Sequence, residues 1–326
     1  MVSSIDVAKL AGVSQATVSR VLNDPDKVNK PTLDKVNAAI RQLNYRPNAA
    51  ARSLISRKSG VIAIVSGPLD NPDNVEFTNE TIKRIQERGF IAEIHLQDSS
   101  NPESVLLSVQ NTQAEGIILG SVVIDEIAIA KLKKTGIPLM FFNMEPAANE
   151  LTASLDNRSA GAAAAEYINS LSHSNVGWLG GEPSESHLQL RYQGFQECAK
   201  ANNMNILRAM AAIDDLDAPL SAMLARKERP TAIIAATDMI AYRAMDFLVD
   251  YGYRIPDDIS LLGIGNAPLS AMSYMNLSSI GISGDRDIYS DGVDRLVKAI
   301  EEGGANKSVE MKYAPVLFER KSTRKI

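Results

Sequence analysis

The 326-residue chain carries 34 Lys and Arg against 39 Asp and Glu and is 45% hydrophobic, the composition of two or three globular units. No apolar run approaches bilayer length, and the opening MVSSIDVAK lacks the charged-then-apolar pattern of a secretory signal. A membrane partner is therefore not expected, and the expected location is cytoplasmic. The single Cys198 excludes a disulfide framework, and three scattered histidines offer no metal-ligand set, so no metal or other cofactor is expected.

Charge is distributed unevenly. Residues 1–58 hold ten Lys and Arg against four Asp and Glu, so the acidic excess belongs to the remainder. A basic head on an acidic body points to a head that meets a polyanion. A solvated basic arm is the alternative, but this head also has a patterned core that such an arm would lack.

In the head, Ser3 and Asp6 form a capping-box pattern, and the first helix runs to about Ala11 before Gly12 permits a turn. Ser14 caps a second helix whose Val18, Val21 and Leu22 face inward. A third starts between Asn29 and Thr32, with Pro31 in its first turn and Val36, Ala39, Ile40 and Leu43 inward. Three short helices with this turn make a helix-turn-helix.

The outward face of the second helix is slim and free of acids, as entry into a major groove requires. Gln15 can pair with adenine, Arg20 with guanine or phosphate, and Ala16 can rest on a thymine methyl. Thr17, Ser19 and Asn23 suit phosphate contacts. A solvent-facing helix in a bundle that binds no DNA is the competing reading.

Here IDVAKLAGVSQATVSRVLN at 5–23, followed by LNYRPNAAARSL at 43–54, resembles the lactose-repressor (LacI/GalR) family of bacterial regulators. The resemblance implies that the segment after Tyr45-Arg-Pro-Asn folds into a hinge helix on the operator. Two such helices, one per subunit, would enter the minor groove from Asn48 onward, touching at Ala51 and wedging Leu54 into a base step. The DNA-facing set is then Ser14, Gln15, Ala16, Thr17, Ser19, Arg20, Asn23, Asn29, Tyr45, Asn48, Ala51 and Leu54. The expected domains are a helix-turn-helix at 1–46, a hinge at 47–58 and a body at 59–326.

In the body, GVIAIVSG at 60–67 reads as a buried strand. Helical and strand patterns then alternate: helix 74–88, FIAEIHL, helix 102–113, GIILGSV, helix 125–135 and PLMFFN. After ASLDN the alternation restarts with a helix to Ser172, VGWLGG, helix 186–203, AIIAATD, a helix to Tyr251 and ISLLGIG. The end, LSSIGIS, helix 286–302 and SVEMKYAPVLFER, has no complete lobe of its own and is expected to cross back. The fold class is thus an all-α helix-turn-helix domain followed by a body of two doubly wound parallel-sheet lobes.

Such lobes bind ligands at the carboxyl ends of their strands. The polar residues there are Asp70, Asn71, Asn143, Asp156, Asn157, Asp238 and Asn266, side chains that can pair the hydroxyls of a sugar. Each serves individually as well for a turn or a helix cap. The body also resembles the periplasmic sugar-binding fold that the family carries behind its hinge. LQLRYQGF at 188–195 matches the family's effector-contacting arginine segment, which implies Arg191 as ligand clamp; on residue type alone it could equally be a surface arginine. ATD at 236–238 stands where the family has Asn-Asp, implicating Thr237 and Asp238. GIGNAP at 263–268 departs from the family by placing Gly265 where an acid often touches ligand, which shifts the expectation to Asn266. The expected effector residues are Asp70, Asn71, Asn143, Asp156, Arg191, Thr237, Asp238 and Asn266.

No phosphate loop, complete dinucleotide fingerprint or nucleophile–base pair is present, so no enzyme is expected. Trp178 reads as core, His173 as a helix-end cap and Cys198 as inert. The expected function is a sequence-specific DNA-binding regulator, a homodimeric repressor of a pseudo-palindromic operator controlled by a small polar effector, most plainly a sugar. Alternatives are a corepressor-type regulator binding a nucleobase, to which the scarcity of aromatics is the objection, and a sugar-binding protein without a regulatory role.

Overall fold

The computed structural model describes residues 2–45, 59–98, 101, 104–120, 122, 124, 126–144, 150–180, 186–211, 213–303 and 308–326. The chain divides into two compact units, Met1–Ser59 and Gly60–Ile326. Among the described residues no helix is long and apolar enough to cross a membrane.

The first unit holds α1 (Ser4–Ala11), α2 (Gln15–Asn23) and α3 (Lys30–Gln42). Each starts on a side-chain cap that satisfies an orphan backbone N–H. Ser3 and Asp6 make a reciprocal capping box, the Thr17 amide donates to Ser14 Oγ at 3.1 Å, and the Thr32 amide donates to Asn29 Oδ1 at 3.0 Å. Gly12 takes a left-handed φ of 65°, which turns the chain sharply between α1 and α2. Val7, Ala8, Val18, Val21, Val36 and Ala39 form the small core, with Tyr45 packed against it.

The second unit contains two six-stranded sheets. The first has the order β11-β5-β4-β3-β1-β2, built from β1 (Val61–Ser66), β2 (Ile91–Leu96), β3 (Gly116–Gly120), β4 (Leu139–Phe142), β5 (Leu151–Leu155) and β11 (Val309–Tyr313). The second has the order β12-β10-β9-β8-β6-β7, built from β6 (Asn175–Leu179), β7 (Asn205–Ala209), β8 (Ala232–Ala235), β9 (Ser260–Gly265), β10 (Ser278–Ile282) and β12 (Pro315–Phe318). Every pairing is parallel except β10 with β12.

Helices α4 (Pro72–Glu87), α5 (Ser104–Gln110) and α6 (Glu126–Lys133) belong to the first lobe, and α7 (Asn157–Ser170), α8 (Ser186–Ala201), α9 (Asp217–Leu224) and α10 (Asp238–Asp250) to the second. The helix α11 (Ile288–Glu301) returns to the first lobe, where Val293, Leu296 and Val297 join its core. Arg84 of α4 holds Asp294 of α11 through Nε at 2.8 Å and Nη2 at 2.5 Å. The expected crossing back is thus divided: α11 and β11 complete the first lobe, and β12 completes the second. Three strand connections pass between the lobes, after β5, after β10 and after β11.

Trp178 is buried among second-lobe side chains, with Tyr192 and Phe195 as ring neighbours. His173 does more than end a helix. It is buried, with Nδ1 2.8 Å from Thr231 Oγ1 and Nε2 3.0 Å from the Arg324 carbonyl, so it ties the C-terminal segment to the second lobe.

Candidate functional site

In the head, Val18 and Val21 are buried while Gln15, Ala16, Ser19 and Arg20 are exposed on the same helix. This follows from α-helical periodicity, which puts positions three apart on one face and leaves the intervening ones outside. The exposed strip carries one cation, two hydrogen-bonding side chains and no acid. Gln15 Nε2 donates to Ser4 Oγ at 3.0 Å, and that bond orients the amide beside the helix N-terminus. Ser14 and Asn29 are occupied as caps, with Thr17 Oγ1 2.9 Å from Ser14 Oγ, so their remaining exposed atoms are what a phosphate could use. Asn23 ends α2, and Tyr45 is half-buried against the head core. The hinge candidates Asn48, Ala51 and Leu54 lie outside the described residues.

In the body, a cavity of about 410 Å³ opens between elements of both lobes. Its wall includes Asn143, Arg191 and Asn266, three of the residues singled out from sequence. Asn143 and Asn266 follow the corresponding strands of the two lobes, β4 and β9, and both sit at left-handed φ, 50° and 55°. Asparagine tolerates this conformation better than most side chains, so the turn and the polar group come together. Asn266 is further fixed by its amide, which donates to Ser279 Oγ at 2.9 Å, and by Arg320 Nη2, which donates to its Oδ1 at 2.6 Å.

Arg191 is brought to the cavity by an unusually close helix crossing. A Cβ on Gly161 of α7 would overlap the Arg191 carbonyl, and one on Gly194 of α8 would overlap the Arg158 carbonyl. With both side chains absent, the two backbones touch. Arg191 is then 6% exposed, its guanidinium donating from Nε to Asn157 Oδ1 at 2.9 Å and from Nη1 to the Ala236 carbonyl at 2.7 Å.

The other residues expected at the site occupy different positions. Asn71, Asp156 and Thr237 are the N-caps of α4, α7 and α10, accepting from the amides of Asp73, Ser159 and Ile240. Asp70 is exposed in the turn before α4. Asp238 lies behind the cavity wall rather than on it, 1% exposed. Its carboxylate accepts from the Ala267 amide at 2.7 Å, Ser270 Oγ at 2.6 Å and Ser279 Oγ at 2.6 Å, clasping the loop that presents Asn266. Burial pushes the Asp238 carboxyl above the usual range, while these three donors act in the opposite direction.

The wall residues not read from the sequence include Glu76 and Glu80 on α4, and Arg286, Asp287 and Tyr289 around the start of α11. The Tyr289 ring packs on Phe77 and Phe142 with centroids 5.8 and 5.7 Å away. Those two rings lie over Gly120 and Gly292, where any Cβ would collide with them. The aromatic scarcity counted from composition therefore does not leave the cavity without an aromatic wall. Burial and the neighbouring Asp238 raise the Asp73 carboxyl to about 6, and burial with Asp73 and Glu80 raises Glu76 to about 6. His187, at the start of α8, is pushed down to about 3 by burial and Arg191 and stays neutral.

A helix-turn-helix head and a two-lobed α/β body with an interlobe polar cavity define the class of two-part DNA-binding regulators. Comparison with known proteins supplies the family. Residues 5–48 match the family model described as bacterial regulatory proteins, lacI family, and residues 165–323 match a periplasmic binding protein-like domain. The chain is 30% identical over 293 residues to the probable HTH-type transcriptional repressor ExuR of Bacillus subtilis (strain 168), covering 86% of each chain. Among solved structures, the lac repressor dimer bound to operator and the anti-inducer ONPF aligns with a TM-score of 0.84 at 23% identity, covering 99% of both chains. The complex of the transcriptional regulator CelR with cellobiose aligns with a TM-score of 0.71 at 22% identity, covering 99% of this chain and 100% of that one. These two likenesses establish a shared fold. The chain belongs to the lacI family of bacterial regulatory proteins, and it is a sequence-specific DNA-binding transcription regulator.

Proposed function

We propose that the protein is a homodimeric repressor whose hold on a pseudo-palindromic operator is set by a sugar bound between the lobes of its body. The observation that carries this reading is the cavity itself. Asn143, Arg191 and Asn266 offer donors and acceptors from both lobes, and Tyr289 offers one aromatic face. A sugar needs that combination, because its hydroxyls must be paired when buried and its C–H face packs on a single ring. A nucleobase is better served by aromatic walls on two sides, and Tyr289 is the only aromatic residue lining the cavity among those described.

The head would read base edges with Gln15, Ala16 and Arg20 and hold phosphates with Ser14, Thr17, Ser19, Asn23, Asn29 and Tyr45. Asn48, Ala51 and Leu54 would form the paired hinge. Ligand would act by binding one arrangement of the lobes more tightly than the other, since only differential affinity shifts such an equilibrium. A dimer is supported by the edge strand β2, which leaves Ile91, Ile94 and Leu96 exposed along an unpaired sheet edge, a surface that proteins ordinarily cover.

The test is a thermal-shift screen of the full chain against mono- and disaccharides, their phosphates and nucleobases, followed by operator binding with each hit. A ligand that binds the folded state raises the melting temperature by mass action. A saccharide hit that changes operator affinity supports the reading. Stabilisation by a nucleobase alone would replace it with the corepressor alternative.

A further inference from the structure

The DNA-facing strip of α2 has a polar neighbour on α1, Ser4, which lies outside the set of residues read from sequence. Ser4 precedes the buried Val7 and Ala8 by three and four residues, and Gln15 precedes the buried Val18 by three. In an α-helix such spacings share a face, so each residue stands one turn ahead of the contact between the two helices. Packing of the head core thus brings the two side chains together, with Gln15 Nε2 3.0 Å from Ser4 Oγ. The Ser4 hydroxyl is available for this because Ser3 and Asp6 close the capping box of α1 between themselves. The two hydroxyls near Gln15 on its own side, Ser14 and Thr17, hold each other at 2.9 Å, and Ser14 also caps α2. Among the described residues, neither Ser4 nor Gln15 has another side-chain hydrogen bond.

The direction of this bond has a consequence for base reading. A primary amide has two N–H donors and one carbonyl acceptor. Pairing with the major-groove edge of adenine takes the carbonyl, which accepts from N6, and one N–H, which donates to N7. The second N–H is left over, and Ser4 Oγ takes it. With its nitrogen anchored in this way, the amide keeps Oε1 for the groove, as adenine requires. The reversed amide would present N–H donors alone, which suits the O6 and N7 acceptors of guanine. A glutamine without the anchor samples both orientations and loses more side-chain freedom on binding.

We propose that Ser4 is a positioning residue for base reading, whose bond to the Gln15 amide makes the head prefer an A·T to a G·C pair at one position of the bound site. This rests on the reading of Gln15 as a base contact. Ser4 touches no base in this role and acts through Gln15.

A binding-site selection with the full chain and a library of randomised DNA duplexes decides the matter. Wild type, Ser4→Ala, Gln15→Ala and the double variant are compared by the base frequencies each enriches. Wild type is expected to enrich an A·T pair at the position that Gln15→Ala relaxes. Ser4→Ala is expected to lower the A·T-to-G·C ratio there by ~3-fold or more, the scale of one neutral hydrogen bond, and to leave other positions unaltered. In the double variant the loss should equal that of Gln15→Ala alone, because Ser4 has no amide left to hold. Ser4 lies outside the head core, so the melting temperature of Ser4→Ala should match that of wild type. A G·C pair at the Gln15 position, a Ser4→Ala selection identical to wild type, weakening spread evenly over all positions, or additive losses in the double variant would each overturn the role of Ser4. If Gln15→Ala itself leaves the selected sequence unaltered, the reading of Gln15 falls as well; if only Ser4→Ala is silent, that reading stands.

Discussion

Glu76 carries an ionisation cost that can be measured without any ligand. Its carboxyl is raised to about 6 by burial and neighbouring acids, so between pH ~4.5 and ~6 the folded chain holds a proton that the unfolded chain has released. Stability from this group is therefore lost as pH rises through that window. His173 and His187, both lowered by burial, act in the opposite sense, so the melting temperature of the wild type alone mixes the two. The difference between wild type and Glu76→Gln isolates the carboxyl. At pH 7.5 the variant should be more stable by about 1 kcal/mol, discounted from about 2 for partial exposure, and the gap should close by pH 4.5. A gap independent of pH would show that Glu76 is not strained in the fold.

Asp238 illustrates what residue type alone leaves undecided. From sequence it stands with Arg191 as a ligand contact, yet it is the clasp of the 266–270 loop, with three donors on its carboxylate. Asp238→Ala would leave those donors unpaired in the interior and should cost about 3 kcal/mol or more in urea unfolding. A variant of wild-type stability that has lost only ligand binding would restore it to the cavity wall. Asn143 and Asn266 were legible because polar residues at strand ends face the cleft, whereas Arg191, inside a helix, was legible only through the resemblance of LQLRYQGF to the family's arginine segment. Asn71, Asp156 and Thr237 have the same position in the pattern but are used as caps, and the two uses look alike in sequence. Glu76 and Glu80 were not legible, since acids on an amphipathic helix read as solvated charge.

At the scale of elements, the crossing of α7 and α8 is the device that buries an arginine at the cleft. Gly161→Ala would force the helices apart by the width of a methyl group against a carbonyl, and overpacking of this kind costs about 1–3 kcal/mol. The urea midpoint should fall accordingly, and ligand affinity should fall further because Arg191 moves with α8. An unchanged ligand affinity would detach the crossing from the site. The alternation of strands and helices made both lobes readable, because buried parallel strands are short β-branched runs. Strand β7 and helix α9 escaped notice. The strand NILRA is an edge with mostly half-exposed residues, and the eight-residue α9 shows little amphipathic contrast. In the head, Gln15 is exposed at the start of α2, so Gln15→Ala should relax base preference at one operator position by about 1–3 kcal/mol in a binding-site selection. An unaltered selected sequence would remove Gln15 from base reading.

For the whole molecule, the three crossings between lobes matter more than either lobe alone. They place Arg191 and Asn266 on the second lobe opposite Glu76 and Asn143 on the first, and under the proposed function a ligand that bridged them would favour one lobe arrangement. The claim that a body cavity governs DNA binding by a separate head is tested most directly by operator titration of wild type and Arg191→Ala, with and without the saccharide found in the screen. Each unit has its own core, so Arg191→Ala should bind operator with wild-type affinity in the absence of ligand. The account predicts that ligand changes the wild-type operator Kd by about tenfold or more, the scale of a typical coupling of 1–3 kcal/mol, and leaves the variant's unchanged. An equal ligand response in both proteins would contradict it.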